Sequence, residues 1–329
     1  MKLIIKIEIV LLVVALLVGA GMILKSEGVF DLLEDPVIVE PEIPPIPTDA
    51  PVEAAEEKLP PEMPEKEYSE RQISATKYFA YDIRKEEYLT LHGQKDAKLY
   101  PASITKLLTT YTILQHMDPQ TQVTVGDALN LVQPDSSLAF LNEGDTLTVE
   151  QLVAAMLLPS GNDAAQVAAV AAGRTIAGDS SLPYEQAVAL FVEQMNQQAK
   201  ALGMTGSHFA NPDGFHHDDH YTTMEDLVTL CKVVLTDPVI QKYVGTLTQT
   251  VTLPDRTLEW KNTNVLLDSE TESYLANAIG MKTGYTSKAG SCLTSAFFME
   301  DRIILIGVFG CPAFTDDRYL DTLAIYQNI

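Results

Sequence analysis

Three short polar motifs follow one another in the 329-residue chain. Ser103-Ile104-Thr105-Lys106 comes first, Ser160-Gly161-Asn162 stands 57 residues later, and Lys282-Thr283-Gly284 lies a further 122 residues on. A serine hydroxyl beside a lysine amine can act as a nucleophile with its own base. The third motif adds a second amine and the small residues of a strand edge. Together the motifs predict acyl transfer through a covalent serine ester, which none of them would predict alone.

The first motif has to stand on a helix for this chemistry. Residues three apart share a face of a helix, so the amine of Lys106 can reach the hydroxyl of Ser103. The N-terminus of the helix also offers backbone N–H groups to an oxyanion. Ser74 and Lys77 fit the same pattern, but they fall in a predicted strand, where residues three apart point to opposite faces.

The two lysines are expected to interact. Lys106 can accept a proton only when it is neutral, and burial or a nearby cation lowers a lysine pKa. Lys282 could be that cation, whereas the alternative is a solvated lysine at a strand end. Ser160 and Asn162 follow Pro159 in a predicted loop, where polar side chains can project into a cleft. By itself such a tripeptide is more often a turn that stops a helix.

Longer runs around the motifs carry a family resemblance. They are Tyr100–Lys106, Leu157–Ala165, Leu202–Met204, Phe209–Gly214, His220–Thr223 and Met281–Thr286 through Gly290. Over residues 72–329 the chain resembles the low-molecular-mass D-alanyl-D-alanine carboxypeptidases, which are penicillin-binding proteins. The resemblance implies an α/β fold of the β-lactamase and DD-peptidase kind. That fold has a mainly antiparallel sheet, helices on both of its faces and a helical subdomain.

The resemblance also implies roles for individual residues. Ser103 is expected to be the acylated nucleophile, Lys106 its base and Ser160 the relay of a proton to the leaving amine. Substrate binding is expected from Asn162, Lys282, Thr283, Gly284 and Tyr285, with the N–H groups of Ser103 and Tyr285 as the oxyanion hole. The implied substrate is a peptidoglycan stem peptide ending in D-Ala-D-Ala. The implied inhibitors are β-lactams, and no cofactor or metal is expected.

One departure from the family concerns an arginine. Some relatives carry one near the position of Cys311-Pro312, where it helps to bind the substrate carboxylate, and this chain has none there. Arg318 is the nearest candidate. At this stage we favour a structural role for it at the start of a helix.

Three other functions share the same nucleophile or fold. A DD-endopeptidase would use the same residues, since the shape of the cleft decides which bond is cut. A class A β-lactamase would need a Glu-x-x-Leu-Asn run, and Glu193-Gln194-Met195-Asn196 is the nearest match. An inactive wall-binding homologue is disfavoured, because loss of function would not spare both lysines.

The run Phe215–His220 contains three histidines and two aspartates. These side chains could ligate zinc. The alternative is a polar loop that precedes the next helix. We favour the loop, since a serine mechanism requires no metal.

Composition divides the chain into three regions. Residues 1–25 carry basic residues before the apolar run Ile9–Leu24, which predicts an export signal or a retained membrane anchor. Residues 26–68 are acidic and proline-rich, typical of a disordered linker. Residues 69–329 form the predicted catalytic domain, outside the cytoplasm. With 45 acidic and 22 basic residues the chain would repel nucleic acid.

Local patterns predict the elements of the catalytic domain. A hairpin of 75–82 and 87–91 is expected to pair with the final strands. Five helices are expected: from Ser103 to about Leu114, over 149–158, over 184–202, after Thr223 and from about Arg318. Thr148 and Gln151 resemble a capping box. Cys292 and Cys311 could bridge two strands, but two buried thiols are the favoured interpretation.

Overall fold

A computed structural model of the protein describes residues 68–329. The predicted signal or anchor, residues 1–25, and the predicted acidic linker up to residue 67 lie outside the described residues. Within 68–329 no helix is long and apolar enough to cross a membrane.

Nine strands and seven α-helices make up this part of the chain. The strands are β1 (Lys77–Asp82), β2 (Glu87–His92), β3 (Gln122–Thr124), β4 (Thr146–Thr148), β5 (Thr248–Thr252), β6 (Thr257–Lys261), β7 (Ala278–Thr286), β8 (Gly290–Met299) and β9 (Arg302–Cys311). The helices are α1 (Lys106–His116), α2 (Val149–Leu157), α3 (Asn162–Ala177), α4 (Tyr184–Ala201), α5 (Met224–Val234), α6 (Pro238–Val244) and α7 (Asp317–Gln327).

Five strands form one antiparallel sheet in the order β2-β1-β9-β8-β7. The predicted pairing of the first hairpin with the last strands is therefore confirmed: β1 lies along β9, with Lys77 opposite Phe309. The strands β5 and β6 pair only with each other and stay outside this sheet. The third motif lies on β7, which is an edge strand, so one side of its backbone is open to other partners.

Helices cover both faces of the sheet, as predicted. Side chains alternate between the faces of a strand, and the neighbours Phe79 and Ala80 accordingly enter different cores. One core lies against the helices α1 to α6, and the other packs against α7. Cys292 belongs to the first core and Cys311 to the second, and both are free thiols. The two cysteines therefore face away from each other across the sheet.

The helix α3 is among the elements that the sequence did not predict. Pro159 ends α2 as expected, but α3 begins at Asn162, only five residues after α2 ends. The first twelve residues of α3 are buried except Ala171, and Gly173 packs against the Ala187 carbonyl of α4, where a Cβ would lie 2.0 Å from the oxygen. A helix buried on nearly all sides lacks the amphipathic period by which helices are found.

Candidate active site

Ser103 lies in a tight turn rather than in an α-helix. Residues Ala102–Thr105 form a 3₁₀ helix, and α1 begins only at Lys106. The α-helix predicted from Ser103 is therefore wrong for its first turn. Residues i and i+3 eclipse one another in a 3₁₀ helix, which places Lys106 Nζ 3.0 Å from Ser103 Oγ. Ala102 has φ +48°, a left-handed conformation that is strained for a residue with a side chain.

The amine of Lys106 is completely buried. It donates to Ser103 Oγ, to Asn162 Oδ1 at 2.7 Å and to the carbonyl oxygen of Asp213 at 2.7 Å, which uses all three protons of an ammonium. Burial lowers the pKa of Lys106 to about 8, against the opposing effect of the carboxylates of Asp213 and Asp163. The lysine is therefore much easier to deprotonate than a lysine in water.

Lys282 is also buried, so the interpretation as a solvated lysine is wrong. Its Nζ donates to the carbonyl of Thr283 at 3.1 Å. Burial first, and then the charges of Lys106 and Arg318, hold the pKa of Lys282 well below its usual value. We expected Lys282 to lower the pKa of Lys106. Burial, the other expected cause, has the largest effect on the pKa of Lys106, and the repulsion between the two amines favours the neutral form of both.

Two glycines allow other elements to approach the Ser103 turn. A Cβ on Gly284 of β7 would lie 2.8 Å from the carbonyl oxygen of Pro101, and one on Gly214 would lie 1.9 Å from that of Ala102. Gly214 also has φ +82°, which disfavours any other residue. The sequence connected Gly284 only with the substrate. In the structure, this position requires a glycine because β7 lies directly against the Ser103 turn there.

The second motif lies where a short loop meets α3. Ser160 is in the loop, as predicted, and is buried with φ +65°, a second strained backbone conformation, whereas Asn162 is the first residue of the helix. Asn162 Nδ2 donates to Ser136 Oγ at 3.0 Å, while its Oδ1 accepts from Lys106. Asn162 thus connects Lys106 to the loop that holds Ser136.

These elements enclose a cavity of about 640 Å³, which we call the catalytic cavity. Its wall includes six of the eight predicted residues: Ser103, Ser160, Asn162, Thr283, Gly284 and Tyr285. Lys106 and Lys282 lie behind the wall, in contact with residues that form it. The sequence did not single out other residues of the wall, namely Asp135, Ser136, Ser137 and Thr263, and it considered His216 only as a possible metal ligand. Thr263 Oγ1 lies 2.6 Å from Thr283 Oγ1, although nothing in its local sequence marks it.

Arg318 also lines the catalytic cavity. Its Nε is buried and has no hydrogen-bond partner in the protein, and its guanidinium carbon lies 4.9 Å from the centre of the Tyr319 ring. A structural role at the start of α7, which the sequence favoured, does not account for the position of Arg318 in the wall of this cavity.

The histidine run forms a loop whose members have different environments. His220 is 2% exposed, and its Nδ1 accepts from the N–H of Ala210, so Nε2 carries the proton and donates to Thr105 Oγ1 at 2.7 Å. Burial, together with nearby positive charge, lowers the pKa of His220 to about 3. Among residues 68–329 no group of three or more potential ligands is arranged to hold a metal ion.

The other Ser-x-x-Lys pair is far from this arrangement. Ser74 Oγ donates to the carboxylate of Asp321, and Lys77 Nζ donates to the carbonyl of Lys98 at 2.7 Å. The hydroxyl and the amine therefore have separate partners, although β1 begins only at Lys77 and Ser74 precedes the strand in which it was predicted.

Known proteins share both the sequence and the fold. Residues 64–312 match the profile of peptidase family S11, D-alanyl-D-alanine carboxypeptidase. The carboxypeptidase DacF of Bacillus subtilis is 29% identical over 218 residues, which are 65% of this chain and 51% of DacF. DacD of Escherichia coli is 31% identical over 257 residues, which are 74% of this chain and 60% of DacD. The chain thus spans between half and three fifths of these relatives.

Solved structures agree with the predicted fold class. The crystal structure of the Streptomyces K15 DD-transpeptidase superimposes with a TM-score of 0.69 and 28% identity, covering 78% of this chain and 97% of that one. Penicillin-binding protein D2 of Listeria monocytogenes, solved with cefotaxime bound, has a TM-score of 0.64 at 24% identity, covering 78% and 98%, and indicates the fold alone. Given the profile match over three quarters of its length, this chain belongs to the D-alanyl-D-alanine carboxypeptidase family of serine peptidases.

Proposed function

We propose that the protein is a serine D-Ala-D-Ala carboxypeptidase that removes the terminal D-alanine from peptidoglycan stem peptides. The observation that carries this proposal is the 3.0 Å contact between Lys106 Nζ and Ser103 Oγ at the wall of the catalytic cavity. A hydroxyl paired with a buried amine is the arrangement of an activated nucleophile.

Burial of Lys106 makes it a usable base. With a pKa of about 8, about a tenth of the lysine is neutral at pH 7, whereas an ordinary lysine is neutral in about three molecules of ten thousand. Neutral Lys106 takes the proton of Ser103 as Oγ attacks the carbonyl of the penultimate D-alanine. The backbone N–H groups of Ser103 and Tyr285 stabilise the oxyanion. The C–N bond then breaks, and Ser160 passes a proton to the departing D-alanine.

Hydrolysis of the ester completes the cycle. Water attacks the acyl carbon, its proton passes to Lys106, and the Ser103 hydroxyl is restored as the acid leaves. Asn162 is well placed to bind the substrate amide, since it lies between Lys106 and Ser136.

Positive charge at one end of the cavity suits the carboxylate of the terminal D-alanine. Arg318 contributes its guanidinium group to the cavity wall, and Thr283 supplies a hydroxyl next to the buried amine of Lys282. A guanidinium and a hydroxyl together can hold both oxygens of a carboxylate.

The remaining parts of the proposal concern location and inhibitors. Residues 1–25 direct the protein to the outer side of the cell membrane, as an anchor or as a cleaved signal. Residues 26–68 act as the tether, and residues 69–329 are the catalytic domain. β-Lactams acylate Ser103 in place of the peptide.

Mass spectrometry of the full-length protein after brief exposure to penicillin tests this function. We expect one adduct on Ser103 that persists, and release of D-alanine from a D-Ala-D-Ala peptide. Both are lost in Ser103→Ala and kept in Ser74→Ala, which alters the other Ser-x-x-Lys pair. Absence of any adduct would instead indicate an inactive homologue, and rapid turnover of penicillin a β-lactamase. Cleavage of a cross-linked dimer faster than of the D-Ala-D-Ala peptide would indicate an endopeptidase.

Transpeptidation is a second candidate, because the Streptomyces K15 DD-transpeptidase is matched over 97% of its length. In that reaction an amine replaces water as the acceptor of the acyl group. Adding glycine to the peptide assay distinguishes the two: a carboxypeptidase releases mainly the shortened acid, and a transpeptidase releases mainly the glycine adduct.

A further inference from the structure

The first turn of α7 carries Arg318, which lines the catalytic cavity. The next residue, Tyr319, is 3% exposed, and its hydroxyl donates to the carbonyl of Thr263 at 2.6 Å. Thr263 lines the cavity too, and its hydroxyl contacts that of Thr283. The ring of Tyr319 also lies against the guanidinium of Arg318. The position of Arg318 in the cavity wall therefore depends on how the first turn of α7 is fixed.

Two aspartates hold another face of the same helix. Asp317 and Asp321 stand four residues apart on α7 and therefore share a face. Arg71 bridges them, because its Nε donates to Asp321 Oδ1 at 3.0 Å and its Nη2 donates to Asp317 Oδ1. The side chain of Arg71 is 26% exposed, whereas that of Asp321 is fully buried. Without the arginine the two carboxylates would repel each other across the first turn of the helix.

Asp321 also accepts hydrogen bonds from the chain just before β1. Its Oδ2 accepts from the N–H of Ser74 at 2.9 Å and from the N–H of Ala75 at 2.8 Å. Both of these bonds use the backbone and so remain in Ser74→Ala. The N–H of Thr76 then donates to the carbonyl of Phe309 on β9 at 2.9 Å. The chain before β1 is thus fixed to the sheet, and Arg71 at its start is a rigid support for α7.

We propose that Arg71 is a positioning residue for Arg318. By holding Asp317 and Asp321, it keeps the first turn of α7 in the place where the guanidinium of Arg318 meets the terminal carboxylate of the substrate. Arg71 does not itself line the catalytic cavity, so its effect on the substrate passes through the helix. This inference rests on the proposed function, in which Arg318 binds that carboxylate.

Two D-Ala-D-Ala peptides test the inference, one with a free terminal carboxylate and one amidated. Arg71→Gln removes the charge and the bond to Asp317, while the amide nitrogen can take the place of Nε beside Asp321. We expect the ratio of kcat/KM for the free peptide to that for the amidated one to fall about threefold, the factor to which loss of one partly exposed ion pair corresponds. Asp317→Asn breaks the same ion pair from the side of the helix and should lower the ratio by a similar factor, so the test stands even if Arg71→Gln fails to fold.

Arg302→Gln is the matched control. Arg302 is 22% exposed and also pairs with a fully buried aspartate, since its Nη1 donates to Asp82 Oδ2 at 3.0 Å. This pair lies where β9 begins, whereas α7 follows the other end of that strand. Arg302→Gln should therefore cost a comparable amount of stability and leave the ratio unchanged.

A double variant separates positioning from a general loss of structure. When Arg318→Gln is already present, adding Arg71→Gln should lower the ratio no further, because no guanidinium remains to be positioned. The inference would be overturned by a ratio that stays constant in Arg71→Gln and Asp317→Asn, that falls equally in Arg302→Gln, or that falls again in the double variant, even if penicillin still labels Ser103. Failure of the unaltered protein to be labelled would overturn the proposed function as well.

Discussion

Removing the charge of Asp213 should make Lys106 a better base at low pH. The Asp213 carboxylate is the largest influence that raises the pKa of Lys106, against the lowering by burial. Asp213→Asn keeps the shape of the side chain and can still accept from the N–H of Phe215. Two charges a few ångströms apart in a protein interact by about 1–3 kcal/mol, and 1.4 kcal/mol equals one pKa unit. We therefore expect the pKa of Lys106 to fall from about 8 to about 7.

The rate of acylation by penicillin, followed against pH by mass spectrometry, measures this change. Neutral Lys106 increases as pH rises through its pKa, so the rising limb of the profile should move down by about one unit. Near pH 6.5 the variant should be acylated several-fold faster, because its neutral fraction rises from about 3% to about 24%. Above about pH 9 the two rates should converge, since both lysines are then mostly neutral.

The control removes an equal charge from the same loop. Asp219 is exposed, so its charge is screened by solvent, and Asp219→Asn should leave the limb in place. A limb that does not move in Asp213→Asn, or that moves to higher pH, would show that Lys106 is not the titrating base.

Three further outcomes are expected. The pKa of His220 is about 3 in the folded protein, so below pH 6.5 the unfolded chain binds a proton that the folded protein does not. The free energy of unfolding should therefore fall by about 3 kcal/mol between about pH 6.5 and 4. Denaturant titration against pH should show a shallower decrease in His220→Asn. Gly280→Ala should lower the free energy of unfolding by about 2 kcal/mol or more, because its Cβ would lie 2.0 Å from the Val244 carbonyl oxygen. Gly144→Ala, at a position with positive φ but open space, should cost about half as much in the same denaturant titration. Arg318→Gln should lower kcat/KM about tenfold or more for a peptide with a free terminal carboxylate, and less for the same peptide amidated; an equal loss for both would argue against carboxylate binding.

Local patterns predicted much of the fold. Thr148 Oγ1 accepts from the N–H of Gln151, and the Gln151 side chain accepts from the N–H of Thr148, so the predicted capping box is confirmed. The hairpin of β1 and β2 and the antiparallel sheet were also predicted, because strand alternation and caps depend on residues near one another in sequence. The helix α3 was not predicted, because its alanine-rich residues are buried on nearly all sides and its sequence therefore shows no alternation of apolar and polar residues with the helical period.

The site was predicted in part. The spacing of the three motifs identified the side chains that could do chemistry, and the structure brings them to one cavity and its wall. The contributions of Thr263 and Ser136 could not be predicted, because each acts through a contact with a residue remote in sequence. Arg318 was named as a candidate but assigned a structural role, since its distance from the cavity depends on the path of the loop before α7.

The sequence alone therefore determined which groups are available: a serine, two lysines and an asparagine in motifs that few other functions require. Only the tertiary structure decided what those groups can do. The pKa of Lys106 depends on burial by elements that are distant in the chain and on the carboxylates of Asp213 and Asp163. The shape of the catalytic cavity likewise follows from how close Gly214 and Gly284 let their segments come to the Ser103 turn. Such properties arise from contacts between remote segments, and no local pattern encodes them.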